Sequence, residues 1–363
     1  METLVGWRRH VRPAVAALEP YAWEMSSREV SERYGVPLER IVRFDTNTSP
    51  FAPTNLSTTL RELAERMPLN EYPDTAYGEL VDAIRAYSGF PAEGIVVGCG
   101  ADELLDMIAK VFVETGSRAV VTGPTYGMYA VLTETYAGHV RPVPDRPGFE
   151  RDFEGIADAA GEAALVWLCN PNNPTANLIP AAGLERLAAS VSCPLVVDEA
   201  YFEFCGVTAA DLIARHPQVI VVRTLSKAFS LAGLRVGYAL AAPEMAAALN
   251  RVRPPNSVGA LSVALGTAAL RDATTMRRRV DLILREKARF AELLRRHVTE
   301  VYPSATNFLL IRVDDPGRVV EALLRQGLVV RDVSAKRGLQ GCLRPTVRLP
   351  EENDRFVAAL ASI

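Results

Sequence analysis

Thr224-Leu225-Ser226-Lys227-Ala228-Phe229-Ser230-Leu231-Ala232-Gly233-Leu234-Arg235 follows the mostly apolar run Val219–Thr224. Such a run reads as a strand buried on both faces of a mainly parallel sheet. Lys227 then leaves the sheet at a strand's C-terminal end, the edge where open α/β sheets bind ligands. A lysine there can form a Schiff base with an aldehyde cofactor. Ser226 beside it and Arg235 eight residues on both suit a phosphate. A lone Ser-Lys pair would be read as an ordinary surface loop; the whole string is not.

Working outward, similar apolar runs occur at 94–97, 118–122, Leu165–Cys169, Leu195–Asp198 and 236–241, with helical periods at 101–113, 127–137 and 180–191. Strands alternating with helices predict βαβ units and an α/β fold. After Pro254-Pro255 the texture changes. Residues 257–298 read as helical, and Val280, Ile283, Leu284, Ala288, Ala291 and Leu294 form one stripe. Strands at 308–313, 328–333 and 343–347 alternate with helices at 316–326 and from 351 on. The expected division is an arm over 1–40 that packs with a small domain, a large cofactor-binding domain over 41–256, and a small α+β domain over 257–363.

Four more turns fall at strand ends. Val196-Val197-Asp198-Glu199-Ala200-Tyr201 places a carboxylate where burial is expensive without a cationic or strongly donating partner; capping the next segment is the other reading of Asp198. Asn170-Pro171-Asn172-Asn173-Pro174-Thr175 is a turn that would aim Asn173 at the same edge. Gly98-Cys99-Gly100-Ala101-Asp102-Glu103 opens a helix whose N-terminal N–H groups suit a phosphate. It is not a dinucleotide fingerprint, because Glu103 stands where the third glycine is needed. Gly123-Pro124-Thr125-Tyr126-Gly127 offers an aromatic that either fills core or stacks on a planar ring.

Together these motifs resemble the fold-type I pyridoxal-phosphate (PLP) enzymes, class I/II aminotransferases. They are most similar to the histidinol-phosphate aminotransferase family, whose order GADE, PTYGMY, NPNNPT, VVDEAYFEF, RTLSKAFSLAGLRVGY, ATNFLL, VVRD and GCLRPTV matches. The resemblance runs from Leu18-Glu19-Pro20-Tyr21 to the last helix, and its motifs specify the cofactor more tightly than the substrate. It implies that Lys227 holds PLP covalently and moves the proton, and that Asp198 keeps the ring nitrogen protonated. Tyr201 and Asn173 would bond the ring hydroxyl and Tyr126 would stack on the ring. The Ala101 and Asp102 amides, Ser226 and Arg235 would hold the phosphate. Tyr72 would reach the phosphate of the other subunit, which implies a homodimer with shared sites. Arg344 would take the substrate's acidic group, with Arg331 and Tyr21 as added phosphate contacts and Asn47 on the segment facing the substrate. The implied partners are a small amino donor and a 2-oxo acid acceptor such as 2-oxoglutarate.

Three departures from the family pattern stand out. Asn47-Thr48-Ser49-Pro50 lacks the usual acidic residue at Thr48, which touches recognition of an imidazole. Ala176 replaces a usual glycine, and Arg348 stands where a small residue is common. An aminotransferase for an aromatic or specialised amino acid, and a lyase like the threonine-phosphate decarboxylases, are the alternatives, because the same cofactor cage serves all three. A non-catalytic regulator is disfavoured by the intact lysine, aspartate and arginine.

Bulk properties agree. A net charge of −3 argues against nucleic acid as a partner, and Arg277-Arg278-Arg279 reads as a solvated helix face. No apolar run approaches the roughly 20 residues of a membrane span, and the N-terminus lacks a signal peptide's apolar core. Five cysteines without CxxC spacing suggest reduced thiols in a cytoplasmic protein. Four scattered histidines give no basis for a metal site or a Ser-His-Asp triad.

Overall fold

In the computed structural model, residues 6–19, 24–53, 56–67 and 70–363 are described. The chain begins with helices α1 (Pro13–Ala16) and α2 (Ser27–Tyr34), strand β1 (Val42–Arg43), and helices α3 (Leu56–Arg66) and α4 (Gly78–Ser88). The large layered unit follows with β2 (Ile95–Gly98), α5 (Gly100–Phe112), β3 (Arg118–Gly123), α6 (Met128–Thr135), β4 (His139–Pro144) and α7 (Phe153–Ala160). It continues with β5 (Leu165–Cys169), α8 (Ala181–Ser190), β6 (Leu195–Asp198), β7 (Val219–Thr224), β8 (Gly237–Leu240) and α9 (Pro243–Val252). The rest comprises α10 (Ala260–Arg271), α11 (Ala273–Leu294), β9 (Glu300–Val301), β10 (Ile311–Arg312), α12 (Pro316–Arg325), β11 (Leu328–Val329), β12 (Arg331–Asp332), β13 (Cys342–Arg344) and α13 (Pro350–Ala361).

Seven strands form one sheet in the order β2-β8-β7-β6-β5-β3-β4. It is parallel except for β8, which runs against both β2 and β7. Successive side chains of a strand point to opposite faces. Trp167 and Val196 therefore join one core with Leu104, Ile108 and Leu249 of α5 and α9, while Leu168 and Val197 join the other with Leu184 and Leu187 of α8. Both faces are covered, and so the central strands are uniformly apolar. The sheet has the mainly parallel α/β architecture expected of fold-type I enzymes.

The expected helix over 257–298 is two helices. Asp272 ends α10 and caps α11, accepting from the Thr275 N–H. The strand expected at 328–333 divides too: β11 pairs with β1, whereas β12 joins the four-stranded antiparallel sheet β12-β13-β10-β9. Within the expected arm, α2 lies on α12, but α1 lies against α6 of the large unit. β1, beyond the arm, pairs in parallel with β11.

Candidate active site

The C-terminal ends of β5, β6 and β7 deliver Asn170–Thr175, Asp198 and Lys227 to one sheet edge. Asp198 is buried, accepting from the Tyr129 hydroxyl at 2.7 Å and from the Ala200 N–H at 3.1 Å. Among the described residues no cation forms an ion pair with it. Burial pushes its carboxyl up to about 6, against the Tyr129 hydroxyl and the Ala200 N–H.

Lys227 Nζ donates to the Thr46 carbonyl at 3.3 Å and lies 6.0 Å from the centre of the Tyr201 ring. Burial, then the Arg344 charge, push its amine down to about 8. The Tyr201 hydroxyl accepts from the Asn47 amide at 2.9 Å, and its ring meets Phe308 edge-on. Asn47 is itself held: its N–H donates to Thr346 Oγ1 at 2.9 Å, and its carbonyl accepts from Asn307 at 2.9 Å.

In the Asn-Pro turn, Asn170 exchanges two hydrogen bonds with Ile179, and Asn172 bonds Thr125, Pro124 and Thr175. These lock the loop and leave Asn173, whose side-chain oxygen accepts from Arg344 at 2.6 Å.

The phosphate-type cradle lies where α5 begins. Arg235 reaches Ser226 Oγ at 3.4 Å and Asp102 at 3.1 Å, and Tyr126 donates to the other Asp102 oxygen at 3.0 Å. A Cβ on Gly100, whose φ is +77°, would sit 2.6 Å from the Arg235 guanidinium. One on Gly237 would sit 2.5 Å from the Gly100 carbonyl carbon. Neither position has room for a side chain, so both must be glycine for Arg235 and the start of α5 to come together.

The small unit adds a hairpin. Arg331 of β12 pairs directly with Arg344 of β13. Arg331 is met by Glu24 at 3.3 Å, and Arg344 also donates to the Asp45 carbonyl. Lys336, in the connecting turn, donates to the Thr125 carbonyl at 2.8 Å, and burial followed by Arg344 and Arg331 pushes its amine down to about 8.

Residues 39–360 match the family model for aminotransferase class I and II. The chain belongs to this family. Among curated relatives, it is 36% identical to a histidinol-phosphate aminotransferase of Thermoanaerobacter pseudethanolicus over 88% of this chain and 92% of that one. It is 34% identical to that of Roseiflexus castenholzii over 97% and 98%. Among solved structures it resembles the Sinorhizobium meliloti histidinol-phosphate aminotransferase in complex with pyridoxal-5'-phosphate, with TM-score 0.88, 28% identity and 96% of each chain covered. It also resembles an L-threonine-O-3-phosphate decarboxylase of Porphyromonas gingivalis, with TM-score 0.78 and 26% identity over 89% and 99% of the chains.

In this class I and II aminotransferase, Lys227, Asp198, Tyr201, Asn173, Tyr126, Ala101, Asp102, Ser226, Arg235, Asn47 and Arg344 gather around one edge of the sheet, linked by the contacts above. Tyr72 does not join them: it is 86% exposed. Tyr21 lies outside the described residues. Arg348, which stands where a small residue is common, pairs its guanidinium with Glu352 in the first turn of α13, at 3.2 Å. Ala176 adopts φ +61°, the left-handed conformation a glycine would take without steric cost, and is fully buried. Of the arginine run, Arg277 and Arg278 are exposed, while Arg279 lies over the Phe51 ring.

Among the participants without an assignment in the sequence reading of this aminotransferase are Tyr129, Glu24, Asn307 and Lys336. Tyr129 alone had a usable signal. It shares the Pro124–Tyr129 string with Tyr126, which stands three residues before it in the turn leading into α6.

Proposed function

We propose that this aminotransferase uses PLP bound through Lys227 and takes its amino group from a phosphorylated amine, histidinol phosphate above all, delivering it to a 2-oxo acid such as 2-oxoglutarate. PLP, when bound, supplies an electron sink for the bonds of the substrate's amine-bearing carbon. The residues fit it. Gly100, Gly237, Ser226 and Arg235 leave a close-walled cradle at a helix N-terminus for its phosphate. Buried Asp198, which has no ion-pair partner among the described residues, suits a protonated ring nitrogen. Tyr201 and Asn173 stand as partners for the ring hydroxyl, and Tyr126 for the ring face. Lys227, depressed toward neutral pH, is the group that would take the proton from the substrate's amine-bearing carbon.

The observation that carries the substrate reading is the register Arg331↔Arg344. Like charges directly opposite across a ladder destabilise it; Glu24 offsets part of that at Arg331, and a doubly charged phosphate between the two arginines would offset more. Arg331→Ala is expected to lower kcat/KM for histidinol phosphate by about ten- to a hundredfold and to affect unphosphorylated amino acids little. Arg344→Ala should lower both. A donor panel with 2-oxoglutarate, scored by glutamate formed, measures this. Equal losses in Arg331→Ala for both donor classes would move the reading to a general or aromatic amino-acid aminotransferase. Similarity to the decarboxylase of Porphyromonas gingivalis keeps a phosphate-ester lyase as the second reading; carbon dioxide released in the same panel identifies it.

The working form is proposed to be a homodimer with the 86% exposed Tyr72 reaching the partner's phosphate site. Mixing inactive Tyr72→Ala and Lys227→Ala proteins should restore up to about a quarter of wild-type activity through hybrid dimers with one complete site. An active monomer would remove the shared-site reading. A cytoplasmic setting is supported by five free cysteines. Among the described residues no helix is long and apolar enough to cross a membrane. The division into arm, large domain and small domain near residues 40 and 256 is proposed on the same footing.

A further inference from the structure

Tyr129 stands outside every motif role assigned above, yet it is wholly buried beneath the site. Its ring lies parallel to Trp167, with centroids 5.5 Å apart and planes 8° apart, and the Tyr126 ring meets it edge-on at 5.6 Å. Trp167 Nε1 donates to Thr133 Oγ1 at 3.1 Å, and that hydroxyl donates to the Tyr129 carbonyl at 2.8 Å. The ring is thus held between two aromatic neighbours and a hydrogen-bonded helix turn, and its phenol donates to Asp198 Oδ2 at 2.7 Å.

We propose that Tyr129 is a positioning residue for amino transfer: its phenol holds Asp198 ionised and aimed at the cofactor's ring nitrogen, so that Tyr129 tunes PLP through Asp198 without touching substrate. This rests on the PLP reading above. Asp198 is faced by Tyr129 from α6, the Cys169 thiol from β5, Asp102 from α5, Lys227 from the turn after β7, Tyr201 from its own turn, and the Ala200 N–H. Each donor to the ionised carboxylate lowers its proton affinity. Burial acts the other way, and Asp102 adds to it. Tyr129 itself is pushed well above its usual value by burial and by Asp198, so it remains a donor at all working pH values. Without the hydroxyl, Asp198 binds its proton more tightly. The proton shared with the ring nitrogen then moves toward the carboxylate, and the ring loses the positive charge that makes it an electron sink.

Tyr129→Phe keeps the ring and its stack on Trp167. Three readouts are needed: the dissociation constant for PLP added to cofactor-free protein, the pH midpoint of the absorbance change of bound cofactor, and kcat with KM. Expected are PLP binding about tenfold weaker and kcat about tenfold lower with donor KM unchanged, and a spectral midpoint raised by about one pH unit. Adding Tyr129→Phe to Asp198→Ala should change the dissociation constant and midpoint no further. A Tyr129→Phe protein matching wild type in all three readouts overturns the inference. So does an equal loss in the Asp198→Ala background, which would assign Tyr129 to packing alone. Wild-type protein that fails to bind PLP would instead overturn the cofactor reading beneath it.

Discussion

Lys227→Ala is expected to retain PLP but lose turnover by about a thousandfold or more, because its amine is the proposed general base and then general acid of the reaction. The structure gives the amine two properties this work requires. It sits at the strand end among Tyr201, Thr46 and Asp198, and burial with the Arg344 charge brings it down to about 8. A useful fraction is therefore uncharged near neutral pH and can accept a proton. The other depressed lysine of the site, Lys336, is tied to the Thr125 carbonyl. Borohydride reduction of the holoenzyme followed by peptide mapping should find the cofactor on Lys227. Label on another lysine, or turnover within tenfold of wild type in the alanine variant, contradicts the assignment.

Asp198→Ala should fold normally and lose about two to three orders of magnitude in kcat, the scale seen when one preorganised electrostatic partner of a reacting group is removed. Asp198→Asn should behave similarly, since an amide cannot balance a positive ring nitrogen. The same carboxyl sets a pH dependence. Burial raises it to about 6 in the cofactor-free protein, so it carries its charge above that value and loses it as pH falls through it. PLP affinity should accordingly weaken below about pH 6 in wild type, and the weakening should vanish in Asp198→Ala. Activity in Asp198→Ala close to wild type would reduce the aspartate to a structural acceptor for Ala200.

The central strands were legible because covering both sheet faces forces unbroken apolar runs. β4, His139–Pro144, was not: it is an edge strand with three exposed positions besides His139 and two prolines, which a sheet edge tolerates. The break at Asp272 hid inside a helical period because a cap changes the axis without changing the pattern. The residues proposed to hold the cofactor stood out because they sit at strand ends in recognisable strings. Glu24, Asn307 and Lys336 act through partners distant in sequence, and nothing local announces an ion pair to Arg331, a hydrogen bond to Asn47 or one to Thr125.

The reversed course of β8 has a consequence for how the two halves of the site are assembled. Because β7 and β8 are antiparallel neighbours, the chain between them closes a short loop, and Lys227 and Arg235 lie on that one loop. Loop closure over so few residues carries a small entropic cost. By contrast, the contact that aims Tyr201 comes from Asn47, 154 residues away, and Arg344 meets Asn173 across 171. The proposed covalent anchor and phosphate clamp are thus specified by nearest-neighbour chain geometry, while the face proposed to read the substrate exists only once the whole topology has closed.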